Sequence, residues 1–190
     1  MEKTTLCILT MLLSYMVNAQ EFKFDINAGY LLSTSKLTAD LTMIDSFNDF
    51  DPVISSAYLE ETNAESGFFV GLGVQYRFTE TLGLSGHINY ANYNEADFLQ
   101  IPFLLNYYVG VGGLNIQVGP QFTYILENLG TFEDDINKLN IGAGAGLGYD
   151  FTENLFLEAR YIFQLNDYFK IDNAPKIKTN YLNLGLGYRF

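Results

Sequence analysis

Apolar and polar side chains alternate along most of the chain after residue 20. In residues 71–78, Leu72, Val74 and Tyr76 share one face, and small or polar residues share the other. Side chains alternate across a β-strand, so this period of two predicts strands with one apolar face. The segments that carry the pattern are residues 24–30, 71–78, 82–90, 99–107, 115–124, 139–151, 155–164 and 182–190.

The connections between these segments are short at one end and mostly longer at the other. The short ones are 79–81, 110–113 and 152–154; the others are 33–66, 94–97, 127–137 and 166–178, of which only 94–97 is short. This asymmetry is typical of barrels with short periplasmic turns and longer extracellular loops. We therefore predict an all-β fold, an eight-stranded antiparallel up-and-down transmembrane β-barrel, with both termini on the periplasmic side.

The apolar faces of the segments are predicted to point outward, toward lipid, and not inward, toward the lumen. A soluble barrel would turn them inward, but here the opposite faces are rich in glycine, which makes a poor soluble surface. Residues 71–78, 146–151 and 185–190 repeat Gly-Leu-Gly followed by Tyr and Phe. Aromatic residues at such positions form a girdle at the membrane–water boundary, so we expect the chain in the outer membrane.

The first residues have the layout of an export signal. A short polar start is followed by a mostly apolar run up to Val17, and Ala19 offers a small residue before a cut. This layout predicts a signal peptide at 1–19 and a mature barrel domain at 20–190. Cys7 lies inside the signal, so the mature chain would have no cysteine.

Charge excludes one class of partner and leaves another open. The formal net charge is −12 with only ten Lys and Arg residues, which argues against nucleic-acid binding. Acidic side chains concentrate in the longer connections, where they form a solvated surface or bind divalent cations, although no spacing matches an EF-hand loop. We expect no cofactor and no metal site. The acidic residues are Asp40, Asp45, Asp49, Asp51, Glu60, Glu61, Glu65, Glu127, Glu133, Asp134 and Asp135.

The polar faces carry charges that would lie inside the barrel and need partners there. We expect Asp25 to pair with Arg189, and Glu158 and Arg160 to join Arg77 or Asp150. Such a polar network would plug the lumen; the alternative is a narrow gated pore. The complete predicted network is Asp25, Arg77, His87, Asp150, Glu158, Arg160 and Arg189.

An enzymatic reading rests on Ser85, His87 and Glu158, which share the lumen side. A lipid substrate would reach the outer wall instead, and a nucleophile needs its base within hydrogen-bond reach. We therefore predict that the chain is not an enzyme.

The end of the chain carries a family resemblance. Leu186, Tyr188 and Phe190 alternate up to a terminal phenylalanine, which resembles the C-terminal assembly signal of outer-membrane barrels. Together with residues 98–105 and 118–121, this ending resembles the outer-membrane barrels of Bacteroidetes-type bacteria, PorT-like and OmpA-like small barrels among them. The resemblance implies insertion by the barrel-assembly machinery and contact with outer-membrane lipid and lipopolysaccharide. The chain ends at Phe190, so the peptidoglycan-binding domain of full OmpA proteins is not expected.

The sequence is compatible with three roles. The first is a structural or interaction role through the extracellular loops, with an envelope protein as an unidentified partner. The second is a small-solute porin. The third, implied by the PorT-like resemblance, is an accessory barrel of a protein-secretion system.

Overall fold

Eight antiparallel strands close into one barrel. The computed structural model describes residues 21–45, 53–110, 112–127, 136–169 and 176–190. The strands are β1 (Glu21–Asp45), β2 (Val53–Arg77), β3 (Leu82–Tyr93), β4 (Ala96–Tyr108), β5 (Leu114–Ile125), β6 (Leu139–Asp150), β7 (Leu155–Gln164) and β8 (Lys176–Arg189). Each strand pairs with the next, and β8 pairs with β1. The predicted fold class is confirmed. The proposed signal at residues 1–19 lies outside the described residues.

The wall is apolar outside and polar inside. Along β8, Leu184, Leu186 and Tyr188 are exposed, whereas Asn183 and Arg189 are buried. This arrangement is the inverse of a soluble barrel, and it matches a wall surrounded by hydrocarbon. Within the described ranges, no helix is long and apolar enough to cross a membrane.

The short turns explain the repeated sequence at one end of the barrel. Thr79 Oγ1 accepts a hydrogen bond from the amide of Leu82 at 2.8 Å, and Thr152 Oγ1 accepts one from Leu155 at 2.9 Å. A threonine side chain thus closes each Thr-Glu-x turn locally. The third short turn uses Gly110 and Gly113, whose φ angles of 64° and 76° favour glycine. We call this side of the barrel the short-turn end.

At the opposite end, β1 and β2 extend far beyond their predicted limits. The segment 33–66 was expected to be a connection, but both strands have 25 residues and pair in one register from Glu21 opposite Arg77 to Asp45 opposite Val53. β8 likewise begins at Lys176, within the expected connection 166–178. The alternation continues in β1 at Leu37, Ala39, Leu41 and Met43, but residues 60–66 of β2 are almost all polar, so hydrophobic periodicity alone did not reveal the paired extension. Backbone pairing that continues from the wall holds these stretches extended.

Gly119 lies where β5 comes very close to β4. A Cβ at Gly119 would lie 1.9 Å from the carbonyl oxygen of Phe103, whereas one at Gly112 would meet nothing within 4 Å. We predict that Gly119→Ala lowers the free energy of unfolding by about 1–3 kcal/mol, because the backbone of β4 must move. Urea unfolding of the barrel in lipid vesicles measures this, and Gly112→Ala is the control. Equal stability of the two variants would contradict the close approach.

Candidate functional site

A cluster of buried, mostly apolar side chains lies in the lumen at the end opposite the short turns. We call this cluster the aromatic cap; it consists of Leu31, Phe69, Ala91, Tyr93, Phe98, Ile125, Ile162 and Tyr181. Tyr93 stacks on Phe98 with ring centroids 4.3 Å apart, and its ring meets Tyr181 edge-on at 5.8 Å. The Tyr181 hydroxyl lies 3.1 Å from that of Tyr93 and 3.2 Å from that of Tyr168. Ring packing and a hydroxyl chain therefore hold the cap together.

Only part of this cap is predictable from the sequence. Phe69, Tyr93 and Tyr181 are large side chains on the inward faces, and the sequence predicts that they fill part of the lumen. Leu31 and Ile162 were missed, although both are apolar residues on an otherwise polar face and both are buried. The sequence signal for Leu31 and Ile162 is a break in the alternation of apolar and polar residues near the end of a predicted segment.

A buried ion pair lies in the middle of the barrel. Arg160 Nη2 donates to Glu158 Oε1 at 2.7 Å, and each residue is 2% exposed. Both side chains project from β7, two residues apart, so they face the same interior. The expected link from this pair to Arg77 or Asp150 is not formed, because those two residues lie at the short-turn end. A neutral layer neighbours the pair, where Asn183 donates to Gln100 at 3.0 Å.

The predicted Asp25–Arg189 pair is wrong, although the two residues are Cα partners across the β1–β8 seam. Asp25 Oδ1 lies 3.3 Å from His87 Nε2, and Arg189 Nη2 lies 2.9 Å from Asp150 Oδ1. The register placed the backbones correctly, but the long arginine side chain reaches Asp150 on β6. The short carboxylate of Asp25 stays at the level of His87.

Two arginines share one carboxylate near the short-turn end. Arg77 Nη2 lies 3.6 Å from Asp150 Oδ2, on the carboxylate that Arg189 also contacts. The Arg77 guanidinium lies 3.6 Å from the ring centre of Tyr108, and Arg189 lies 4.3 Å from that of Phe156. Stacking and charge pairing together fix both arginines.

A polar cavity of about 720 Å³ opens beside these arginines. We call it the vestibule. Its charged lining comprises Lys23, Arg77, Glu80, Asp150, Glu153 and Arg189. The charges of both signs suit a water-filled entrance and do not define a site for one ion.

The residues considered for catalysis have separate partners. Ser85 Oγ accepts from Asn106 Nδ2 at 3.0 Å, His87 pairs with Asp25, and Glu158 pairs with Arg160. Ser85, His87 and Glu158 line one small cavity in the lumen, but each is paired with a different residue, so they form no hydrogen-bonded triad.

The extended parts of β1 and β2, residues 33–45 and 53–66, form a ribbon, which β8 joins as a third strand as far as Thr38. Lys36 Nζ lies 2.7 Å from Glu60 Oε1, and both side chains are about half exposed. Among the described residues, no three potential ligands come together to hold a metal ion. The acidic residues 49, 51 and 133–135 lie outside the described residues, and for Asp40 and Asp45 only the backbone is described.

A closed barrel with an apolar wall and a filled polar interior defines an integral outer-membrane β-barrel protein. Residues 5–190 match the family described as outer membrane protein beta-barrel domain, and the chain belongs to this family. It is a protein of the outer membrane. No curated protein sequence matches it significantly.

Several solved barrels are similar to the chain. The Yersinia pestis outer membrane protein Ail in a phospholipid nanodisc shares 16% identity over 90% of this chain and 100% of its own, with a TM-score of 0.48. Neisserial surface protein A shares 15% identity, with coverages of 91% and 100% and a TM-score of 0.47. OprG from Pseudomonas aeruginosa shares 15% identity, with coverages of 90% and 97% and a TM-score of 0.43. At these identities the likeness says nothing about role.

The Glu158–Arg160 pair yields a stability prediction. Glu158→Gln should lower the free energy of unfolding by about 3–5 kcal/mol, because Arg160 would stay buried without an opposite charge. The exposed pair provides the control: Glu60→Gln should cost less than about 1 kcal/mol. Urea unfolding in lipid vesicles measures both variants. Equal costs would mean that water screens Glu158 as well as it screens Glu60.

Proposed function

We propose that this barrel is a closed scaffold that acts through its extracellular surface, in contact with another envelope or surface protein. The observation that carries the proposal is the obstructed lumen. The aromatic cap fills one end, and the Glu158–Arg160 pair lies in the interior below it. A solute would have to displace both, whereas the ribbon extends past the end of β3.

Outer-membrane barrels have short periplasmic turns and longer extracellular loops, and this rule supports the orientation we propose. The short-turn end then faces the periplasm, and the ribbon and the cap face outward. The vestibule opens into the periplasm.

Assembly and surroundings belong to the same proposal. Leu186, Tyr188 and Phe190 project outward, with Phe190 69% exposed, as a strand read by the barrel-assembly machinery would require. Export through the signal at residues 1–19 precedes that step. Lipid and lipopolysaccharide would then surround the apolar wall. The seven lumen charges serve as a structural plug in this view.

A small-solute porin is the second candidate, and the vestibule favours it, because a cavity already enters the barrel from one end. A PorT-like accessory role in protein secretion is a further proposal that rests on resemblance alone. A gene deletion that stops secretion would support it.

Conductance in planar bilayers separates the first two candidates. The closed scaffold predicts no stable current step from the wild-type barrel. A variant with alanine at Tyr93, Tyr181, Glu158 and Arg160 loses both obstructions and should conduct, provided that its heat-modifiable gel mobility shows a folded barrel. A reproducible open state of the wild type would overturn the closed scaffold in favour of the porin.

A further inference from the structure

We propose that the free edge of β2, from Leu59 to Ser66, binds one extended basic segment of another protein as an added β-strand. The inference rests on the proposed surface function and specifies its partner. We call this stretch the open edge. Its backbone and charges are fully described, unlike those of the ribbon tip.

The open edge exists because β2 is longer than its neighbour. β3 pairs with β2 only up to Tyr93 opposite Gly67, and β3 ends there. On the other side of the ribbon, β8 continues beside β1 up to Lys176 opposite Thr38. Among the described residues, strand pairing therefore covers β2 from 59 to 66 on one side only.

The bare edge offers a regular row of hydrogen-bonding groups. Residues of an antiparallel strand direct their N–H and C=O groups alternately to the two sides, so every second residue of 59–66 presents both groups outward. At about 3.4 Å per residue the open edge spans roughly 27 Å. The β1–β2 register runs without a bulge through this stretch, so the row is continuous.

Most devices that protect sheet edges are missing here. Proteins block edges with proline, lysine or bulges, since a long flat edge recruits other strands. Residues 59–66 read Leu-Glu-Glu-Thr-Asn-Ala-Glu-Ser, with no proline and no lysine. The three glutamates are therefore the remaining barrier, and they repel acidic or neutral partners more than basic ones.

The glutamates also select the partner. Glu61 and Glu65 lie on one face of β2 and Glu60 on the other, because side chains alternate. Glu60 is paired with Lys36, whereas Glu61 and Glu65 form no ion pair with another described residue. An incoming strand with Lys or Arg at alternate positions would meet them directly or diagonally. A second copy of this chain fits poorly, since it would bring glutamates against glutamates.

A peptide probe separates strand addition from simple charge attraction. The probe is a ten-residue peptide of alternating lysine and threonine, titrated against the whole barrel in phosphatidylcholine nanodiscs. Two derivatives carry N-methyl groups on the odd or on the even amides. Strand addition predicts that one derivative binds at least about tenfold more weakly and that the other binds like the parent, because only one set of amides faces the edge.

Matched variants locate the site. Glu61→Gln with Glu65→Gln should weaken the parent peptide about tenfold, whereas Glu80→Gln with Glu153→Gln, at the short-turn end, should leave its affinity unchanged. Amide exchange should also slow at alternate residues of 59–66 when the peptide binds.

The outcomes are distinct. Strand addition is overturned if both methylated peptides bind like the parent, or if both bind equally weakly. It is also overturned if the parent peptide does not bind. None of these results bears on the proposed closed scaffold, which the conductance measurement in planar bilayers tests separately.

Discussion

The requirement that backbone polar groups pair inside the protein governs this structure. Hydrocarbon offers no hydrogen bonds, so a sheet in a membrane must close on itself. Closure is made at the β1–β8 seam, where Asp25 faces Arg189 across the first pair and Thr38 faces Lys176 across the last. The amide of Phe190 extends the seam by donating to Phe24 O at 2.8 Å. The C-terminal alternation is therefore part of the wall itself.

Closure also explains the interior. Eight strands leave a lumen that side chains can fill, and the inward faces must be polar or small because the outward faces are apolar. Charges trapped there need partners, and the structure meets this need locally: Glu158 pairs with Arg160, Asp25 with His87, and Asp150 with two arginines. Each group stabilises its own level of the barrel. The aromatic cap packs at the end opposite the short turns.

Outside the membrane the requirement is relaxed, because water can satisfy a bare strand. The ribbon and the open edge of β2 become possible only there. Within the wall, closure of the barrel pairs both edges of every strand. Beyond the wall, one edge of β2 has no strand beside it among the described residues, and this edge is available to a partner. The glutamates on that edge keep it soluble and restrict the partners it accepts.

The sequence by itself determined the wall, because membrane burial imposes a strict alternation that can be read without coordinates. The eight segments, the inward charges and the short Thr-Glu turns all follow from it. Tertiary structure decided the rest. Arg189 pairs with Asp150 and not with Asp25, because the arginine side chain is long enough to reach past its cross-strand neighbour. No register rule predicts that reach. The ribbon was hidden for the opposite reason: residues 60–66 of β2 are almost all polar, and only their continued pairing with β1 makes them a strand.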